Sequence, residues 1–220
     1  MRILAFQGSP RPNGNSTLLL NEFIRGARDQ GADISTIVAH AVNIKPCRGC
    51  LKCNMLKRCA IHNDDWPALS EQILEADCLL FATPVYFHHM PGPLKTILDR
   101  FRSFMHVQIT EIGLRHTPWH MWQKHFVAIM TLGSSSADDT TSLMDLFQFM
   151  VKEFGPGNTF SSVIGTRLAV PKHVIFSHND LQQLYPKLNL SQSLALDDYQ
   201  RNQQLLNRCY ELGRTAASFS

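Results

Sequence analysis

"RILAFQGSPRPNGNSTLLLNEFIRGARDQG", residues 2–31, contains a complete change of hydrophobic period. Ile3 to Phe6 form an unbroken apolar run, ended by Gly8 and two prolines, which reads as a buried strand. From Asn15 the apolar residues fall at helical spacing, with Leu18, Leu19, Phe23, Ile24 and Ala27 on one face. The segment opens on capping residue types and closes on Gly31. Strand, polar loop and helix in that order make the first half of a βαβ unit.

The same alternation continues outward. "ADISTIVAH" (32–40), "CLLFATP" (78–84), "HFVAIMTLG" (125–133) and "FSSVIG" (160–165) read as four further strands. "DDWPALSEQILEAD" (64–77), "PGPLKTILDRFRSFM" (91–105) and "DTTSLMDLFQFMVKEFG" (139–155) read as the intervening helices. Five strands alternating with helices imply an α/β fold with a doubly wound five-stranded parallel sheet, crossed over right-handedly. A cysteine-rich loop follows strand 2. Residues 106–124 read as a long connection rich in His and Trp, its Trp119 and Trp122 fitting an interface, a lid or core packing. Residues 166–220 read as a loop and a late helix around "LDDYQRNQQLLNRCYELGRTAAS", a C-terminal extension packed on the 1–165 domain.

With 220 residues, 44% hydrophobic and 18% charged, the chain should fold as one domain with an extension. A formal net charge of +3, without any dense Lys/Arg run, excludes a nucleic-acid arm. The N-terminal apolar run is too short for a signal peptide, and no stretch approaches the roughly 18 apolar residues that span a bilayer. A cytoplasmic protein, with neither membrane nor nucleic acid as partner, is the expectation.

In an open α/β sheet the ligand lies beyond the carboxyl ends of the strands. The loop after strand 1, "GSPRPNGNST" (8–17), offers Ser9, Arg11, Asn15, Ser16 and Thr17 at a helix N-terminus, where free N–H groups favour phosphate. The same residues also make an ordinary N-cap. "TPVYFHHMPGPLK" (83–95) brings Pro84, Val85, Tyr86 and Phe87 to the same edge, suited to a flat ring, and "TLGSSSADD" (131–139) adds Thr131 and Gly133. Together the three loops describe a flavin mononucleotide (FMN) site. His88 and His89 could tune the flavin or carry protons, although solvated loop histidines would look the same. Asp64 and Asp65 read as a helix cap. No triad or paired-carboxylate motif is present, so no catalytic side chain is assigned.

"CRGCLKCNMLKRC" (47–59) has the spacing C-x2-C-x2-C-x5-C, with Arg48, Lys52, Lys57 and Arg58 among the cysteines. Four soft ligands suit zinc or an iron-sulfur cluster, and a thiol redox pair is a further alternative. Structural zinc usually takes two C-x2-C knuckles set apart. Three cysteines at successive x2 spacing instead suit one face of a cubane, and the x5 gap lets Cys59 return to it, so a single [4Fe–4S] cluster on Cys47, Cys50, Cys53 and Cys59 is expected. Cys78 and Cys209 sit in apolar contexts and read as packing residues.

These motifs resemble the NAD(P)H-dependent FMN reductase-like branch of the flavodoxin-like flavoproteins and, within it, the iron-sulfur flavoproteins. The resemblance covers roughly residues 1–165 and implies an FMN- and [4Fe–4S]-dependent oxidoreductase. Its expected donor is ferredoxin or a similar carrier, and its acceptor a small molecule such as O2, H2O2 or a quinone. It also implies a homodimer or homotetramer in which the cluster of one subunit lies near a neighbour's flavin. Two alternatives compete. One is an NAD(P)H-dependent FMN or quinone reductase without a cluster, and the other a zinc-stabilised redox sensor or interaction module.

Overall fold

A computed structural model describes residues 1–218; the last two positions of the 166–220 extension lie outside the described residues. Five strands, β1 (Arg2–Gln7), β2 (Asp33–Val38), β3 (Cys78–Pro84), β6 (His125–Thr131) and β7 (Thr159–Gly165), form a parallel sheet in the order β2-β1-β3-β6-β7. Between β3 and β6 lies an antiparallel hairpin of β4 (Met105–Thr110) and β5 (Gly113–Pro118). The helices are α1 (Asn15–Arg28), α2 (Cys53–Leu56), α3 (Trp66–Glu75), α4 (Gly92–Arg100), α5 (Thr141–Glu153), α6 (His178–Leu184) and α7 (Leu194–Ala217). The flavodoxin-like order puts the switch point between β1 and β3.

β3 and β6 are almost wholly buried because both sheet faces are covered, which explains their unbroken apolar runs. On one face α3, α4 and α5 enclose an aromatic core, in which Phe6 stacks on Phe81 with centroids 4.9 Å apart. On the other face α1 and α7 pack together over Ile3, Leu80 and Val127. The late helix is therefore half of the second layer.

The segment read as a long connection, residues 106–124, holds regular structure. Residues 105–118 form the hairpin, in which Met105, Val107 and Ile109 alternate with His106, Gln108 and Thr110; Met105 and Val107 reach the main core, whereas Ile109 and Leu114 are exposed. The helix expected over 91–105 ends at Arg100 and continues as a 3-10 turn over Phe101–Phe104. Trp122 is core, stacked on Phe154 at 4.1 Å, whereas Trp119 is only partly buried. Cys78 and Cys209 are fully buried, and burial pushes the Cys209 thiol up to about 12.

Residues 166–218 are held by polar contacts as well as by apolar burial. Buried Asp198 accepts hydrogen bonds from Arg167, Arg201 and the Tyr185 hydroxyl. Beside it His173 is fully buried, and among the described residues neither ring nitrogen has a hydrogen-bond partner. Burial lowers its pKa to about 4, with Asp198 raising it and Arg201 lowering it.

Two predictions follow from this layer. Where α1 crosses α7, a Cβ on Gly26 would meet the Tyr210 carbonyl oxygen at 2.0 Å, and one on Gly213 would meet that of Phe23 at 2.0 Å. Gly26→Ala should force the helices apart and cost about 1–3 kcal/mol in urea unfolding, whereas unchanged stability would mean that the crossing is not tight. For His173, the unfolded chain takes up a proton below about pH 6.5, while the folded chain resists until about 4. Stability should therefore drain as pH falls through that window, by about 2 kcal/mol between pH 7 and 5, a loss absent in His173→Leu.

Candidate functional site

The register brings the three predicted loops to one edge. Gly8 N–H donates to the Ala82 carbonyl at 2.7 Å, Pro84 pairs with Thr131, and Val85 N–H donates to the Thr131 carbonyl at 2.8 Å. The loop after β1 is folded in advance around the Arg11 carbonyl, which accepts from Gly14 N–H at 3.0 Å, Thr17 Oγ1 at 3.1 Å and Ser9 Oγ at 3.3 Å. A Cβ on Gly14 would lie 2.7 Å from Ser9 Oγ, so a side chain there would open this turn. The first intrahelical bond runs from Leu18 N–H to Gly14 C=O, leaving the N–H groups of Asn15, Ser16 and Thr17 without helical acceptors. Ser9, Ser16 and Thr17 are buried, and Arg11 is exposed.

Asn15 has another task. Its Nδ2 donates to the carbonyls of Leu168 (3.1 Å) and Val170 (2.8 Å), and its Oδ1 accepts from Val174 N–H at 3.1 Å. The side-chain amide ties the segment after β7 to the start of α1, and only its backbone N–H faces the role expected from sequence. Nothing local signalled this, because the partners are backbone atoms more than 150 residues away.

After β3 the chain makes a two-residue turn. Tyr86 and His89 exchange backbone hydrogen bonds, and between them Phe87 and His88 both have positive φ, 49° and 60°. Two consecutive non-glycine residues in the left-handed region are costly, and such strain collects at functional sites. Phe87 is wholly exposed and Tyr86 is 44% exposed. Thr131 is buried at the end of β6, with Gly133 exposed beyond it.

The cysteine segment lies against the α3–α4 face. Cys47, Cys50, Cys53 and Cys59 all line one cavity of about 240 Å³, together with Arg100, Arg102 and Ser103. Among the described residues no three His, Cys, Asp or Glu side chains converge on a point as ligands of a single ion do. Arg102 donates to Cys53 Sγ at 3.4 Å, to the Met105 carbonyl at 2.9 Å and to Asn54 Oδ1 at 2.9 Å. Burial pushes the Cys53 thiol up, Arg102 opposes it, and the neighbouring Cys59 and Cys47 add to the rise. Leu51 and Lys57 are bent into the left-handed region to close the loop.

Asp64 and Asp65 do more than cap α3. Asp64 and Arg100 form a fully buried ion pair at 2.6 Å. Asp64 also accepts from Lys45 N–H (2.9 Å) and Trp66 N–H (3.2 Å), while Arg100 donates to the carbonyls of Lys45 (2.7 Å) and Ile61 (3.0 Å). Asp65 accepts from Asn43 N–H at 2.8 Å. Both ends of the cysteine loop are thus fastened to one guanidinium. Sequence reading missed Arg100 and Arg102 because two arginines at a helix end look like solvated residues.

The family model described as NADPH-dependent FMN reductase matches residues 1–162. The chain belongs to this family. Its members are flavin-dependent oxidoreductases, the broad group that the flavin-loop motifs resemble. An iron-sulfur flavoprotein of Methanocaldococcus jannaschii is 34% identical over 102 residues, 46% of this chain and 52% of the relative. One from Archaeoglobus fulgidus is 36% identical over 103 residues, 46% of this chain and 49% of the relative. The alignments span about half the length of these relatives. Among solved structures, an NAD(P)H:quinone oxidoreductase from Methanothermobacter marburgensis superposes with a TM-score of 0.66 at 15% identity, covering 97% of this chain and 98% of that one, and shares the fold.

Four thiols around one cavity, with an arginine N–H on one sulfur, suit an anionic thiolate-bound centre. Buried hydroxyls around a helix N-terminus suit a phosphate.

The clamp gives a third prediction. Burial pushes the Asp64 carboxyl up, but hydrogen bonds from Arg100, Lys45 and Trp66 outweigh this and hold it below the ordinary range. Its contribution is complete above about pH 4 and is lost as pH falls through the lowered pKa. Arg100→Leu, which strands Asp64, should cost about 3–5 kcal/mol in urea unfolding, and Arg100→Met with Asp64→Leu should recover much of it. A loss under about 1 kcal/mol in the single variant would mean that the pair does not anchor the loop.

Proposed function

We propose that this chain carries FMN at the carboxyl edge of the sheet and a [4Fe–4S] cluster in the thiol cavity. It moves electrons from a low-potential donor such as ferredoxin to a small-molecule acceptor, with O2, H2O2 and quinones as candidates. The observation that carries this reading is the single cavity lined by all four cysteines in a chain of the FMN reductase family.

The phosphate would rest on the backbone N–H groups of Asn15, Ser16 and Thr17, with the Ser9 hydroxyl and the Arg11 guanidinium beside it. Pro84, Val85, Tyr86, Phe87, Thr131 and Gly133 would hold the flavin ring. Cys47, Cys50, Cys53 and Cys59 would hold the cluster. When bound, a flavin supplies one- and two-electron chemistry and a cluster one-electron chemistry, so no side-chain acid, base or nucleophile is required. The residues bind, orient and exclude water. The N–H of Arg102 favours the thiolate form of Cys53, and Asp64–Arg100 keeps the loop closed.

Arg48, Lys52, Lys57 and Arg58 are exposed around the thiol cavity and would receive an acidic electron carrier. The exposed Ile109, Ile112 and Leu114 of the β4–β5 hairpin fit assembly into a dimer or tetramer. Among the described residues no helix is long and apolar enough to cross a membrane; a cytoplasmic site of action fits the reduced thiols the reading needs.

Anaerobic reductive titration with dithionite tests the reading. Wild type should take up about three electrons per chain, two at the flavin and one at the cluster, and Cys53→Ala about two with FMN retained. Two electrons in the wild type, with NADPH oxidised, would instead establish a flavin or quinone reductase without a cluster. The docking part makes a separate prediction. Lys52→Glu with Lys57→Glu should slow reduction by ferredoxin about tenfold at low salt, an effect that fades as salt is raised.

A further inference from the structure

A second cavity, of about 250 Å³, shares a wall with the thiol cavity, since Cys59, Ile61 and Ser103 line both. Its lining combines three aromatic rings with positive charge. Trp66 and Phe104 pack against each other with centroids 5.6 Å apart, and Trp119 closes the cavity from the chain that follows β5. Lys57 and Arg58 supply two permanent cations, His62 and His120 two further imidazoles, and Glu71 the one carboxylate among the described lining residues. The charge balance therefore favours an anion.

One contact indicates how a ligand would sit. Lys57 Nζ lies 5.6 Å from the centre of the Trp119 ring, so a ring face and a cation meet in the same space. A cavity of this volume lies just below the range of about 300–1,000 Å³ that accepts drug-sized ligands, which restricts the occupant to a small planar one.

We propose that this cavity binds a planar aromatic anion of one or two fused rings bearing a carboxylate or sulfonate. The rings would lie against Trp66, Phe104 and Trp119, and the anion between Lys57 and Arg58. The inference rests on the cavity alone and stands apart from what the thiols or the flavin loops hold.

Calorimetric titration of the flavin-loaded full chain with naphthalene-2-sulfonate and with its uncharged analogue, naphthalene-2-sulfonamide, tests it. The sulfonate should bind one per chain and at least about fivefold more tightly than the sulfonamide. Arg58→Glu, an exposed change that leaves the core intact, should weaken the sulfonate about tenfold, and Trp119→Leu should weaken both probes. Phe87→Ala, in the flavin loop, should alter neither. Equal affinity for the two probes, sulfonate binding indifferent to Arg58→Glu, loss of binding in Phe87→Ala, or no binding at millimolar probe would each overturn the proposal.

Discussion

The ion pair between Asp64 and Arg100 organises one whole side of the molecule. Neither side chain reaches water, and two buried charges are tolerable only when their remaining hydrogen-bonding capacity is satisfied. Here the cysteine loop and the start of α3 supply most of it, through Lys45, Ile61 and Trp66, while Arg100 Nε has no partner among the described residues. The loop leaves the sheet after β2, runs out past four cysteines and returns to the same guanidinium before α3 begins. A segment with few apolar residues of its own is thereby held against the α3–α4 face, and its thiols are kept around one cavity.

The fold was legible because α/β sheets leave a strong sequence trace. β3 and β6 are apolar throughout since both faces are covered, and α1 announces itself by its spacing and its polar entry loop. The β4–β5 hairpin was not legible, since Met105 read as the end of a helix and, beyond Val107, the apolar Ile109 and Leu114 are exposed. α7 was visible as a helix, but its place beside α1 depends on Gly26 and Gly213 facing each other's backbone, a relation between residues far apart in the chain.

The candidate sites divide in the same way. That Cys47, Cys50, Cys53 and Cys59 belong together was readable because close spacing is a local property, and all four line one cavity. The residues that fix them in place were hidden: Arg100 and Arg102 sit at a helix end, and Asn54 joins the loop to β4 by bonds to Val107. Asn15 carries a hidden role of the same kind. A capping-type residue at a helix N-terminus suggested a ligand, whereas its amide is committed to the chain between Leu168 and Val174. Long-range polar contacts leave no period in the sequence, and they decide how both sites are held.

On the proposed reading the thiol cavity and the flavin edge are two redox sites in one chain. The most direct test is to purify the protein without oxygen and to measure iron, acid-labile sulfide, zinc and FMN on the same sample. The account predicts about four iron, about four sulfide and about one FMN per chain, with negligible zinc. FMN accompanied by zinc, or by no metal, would contradict it and would leave a flavin reductase whose four cysteines serve a structural end.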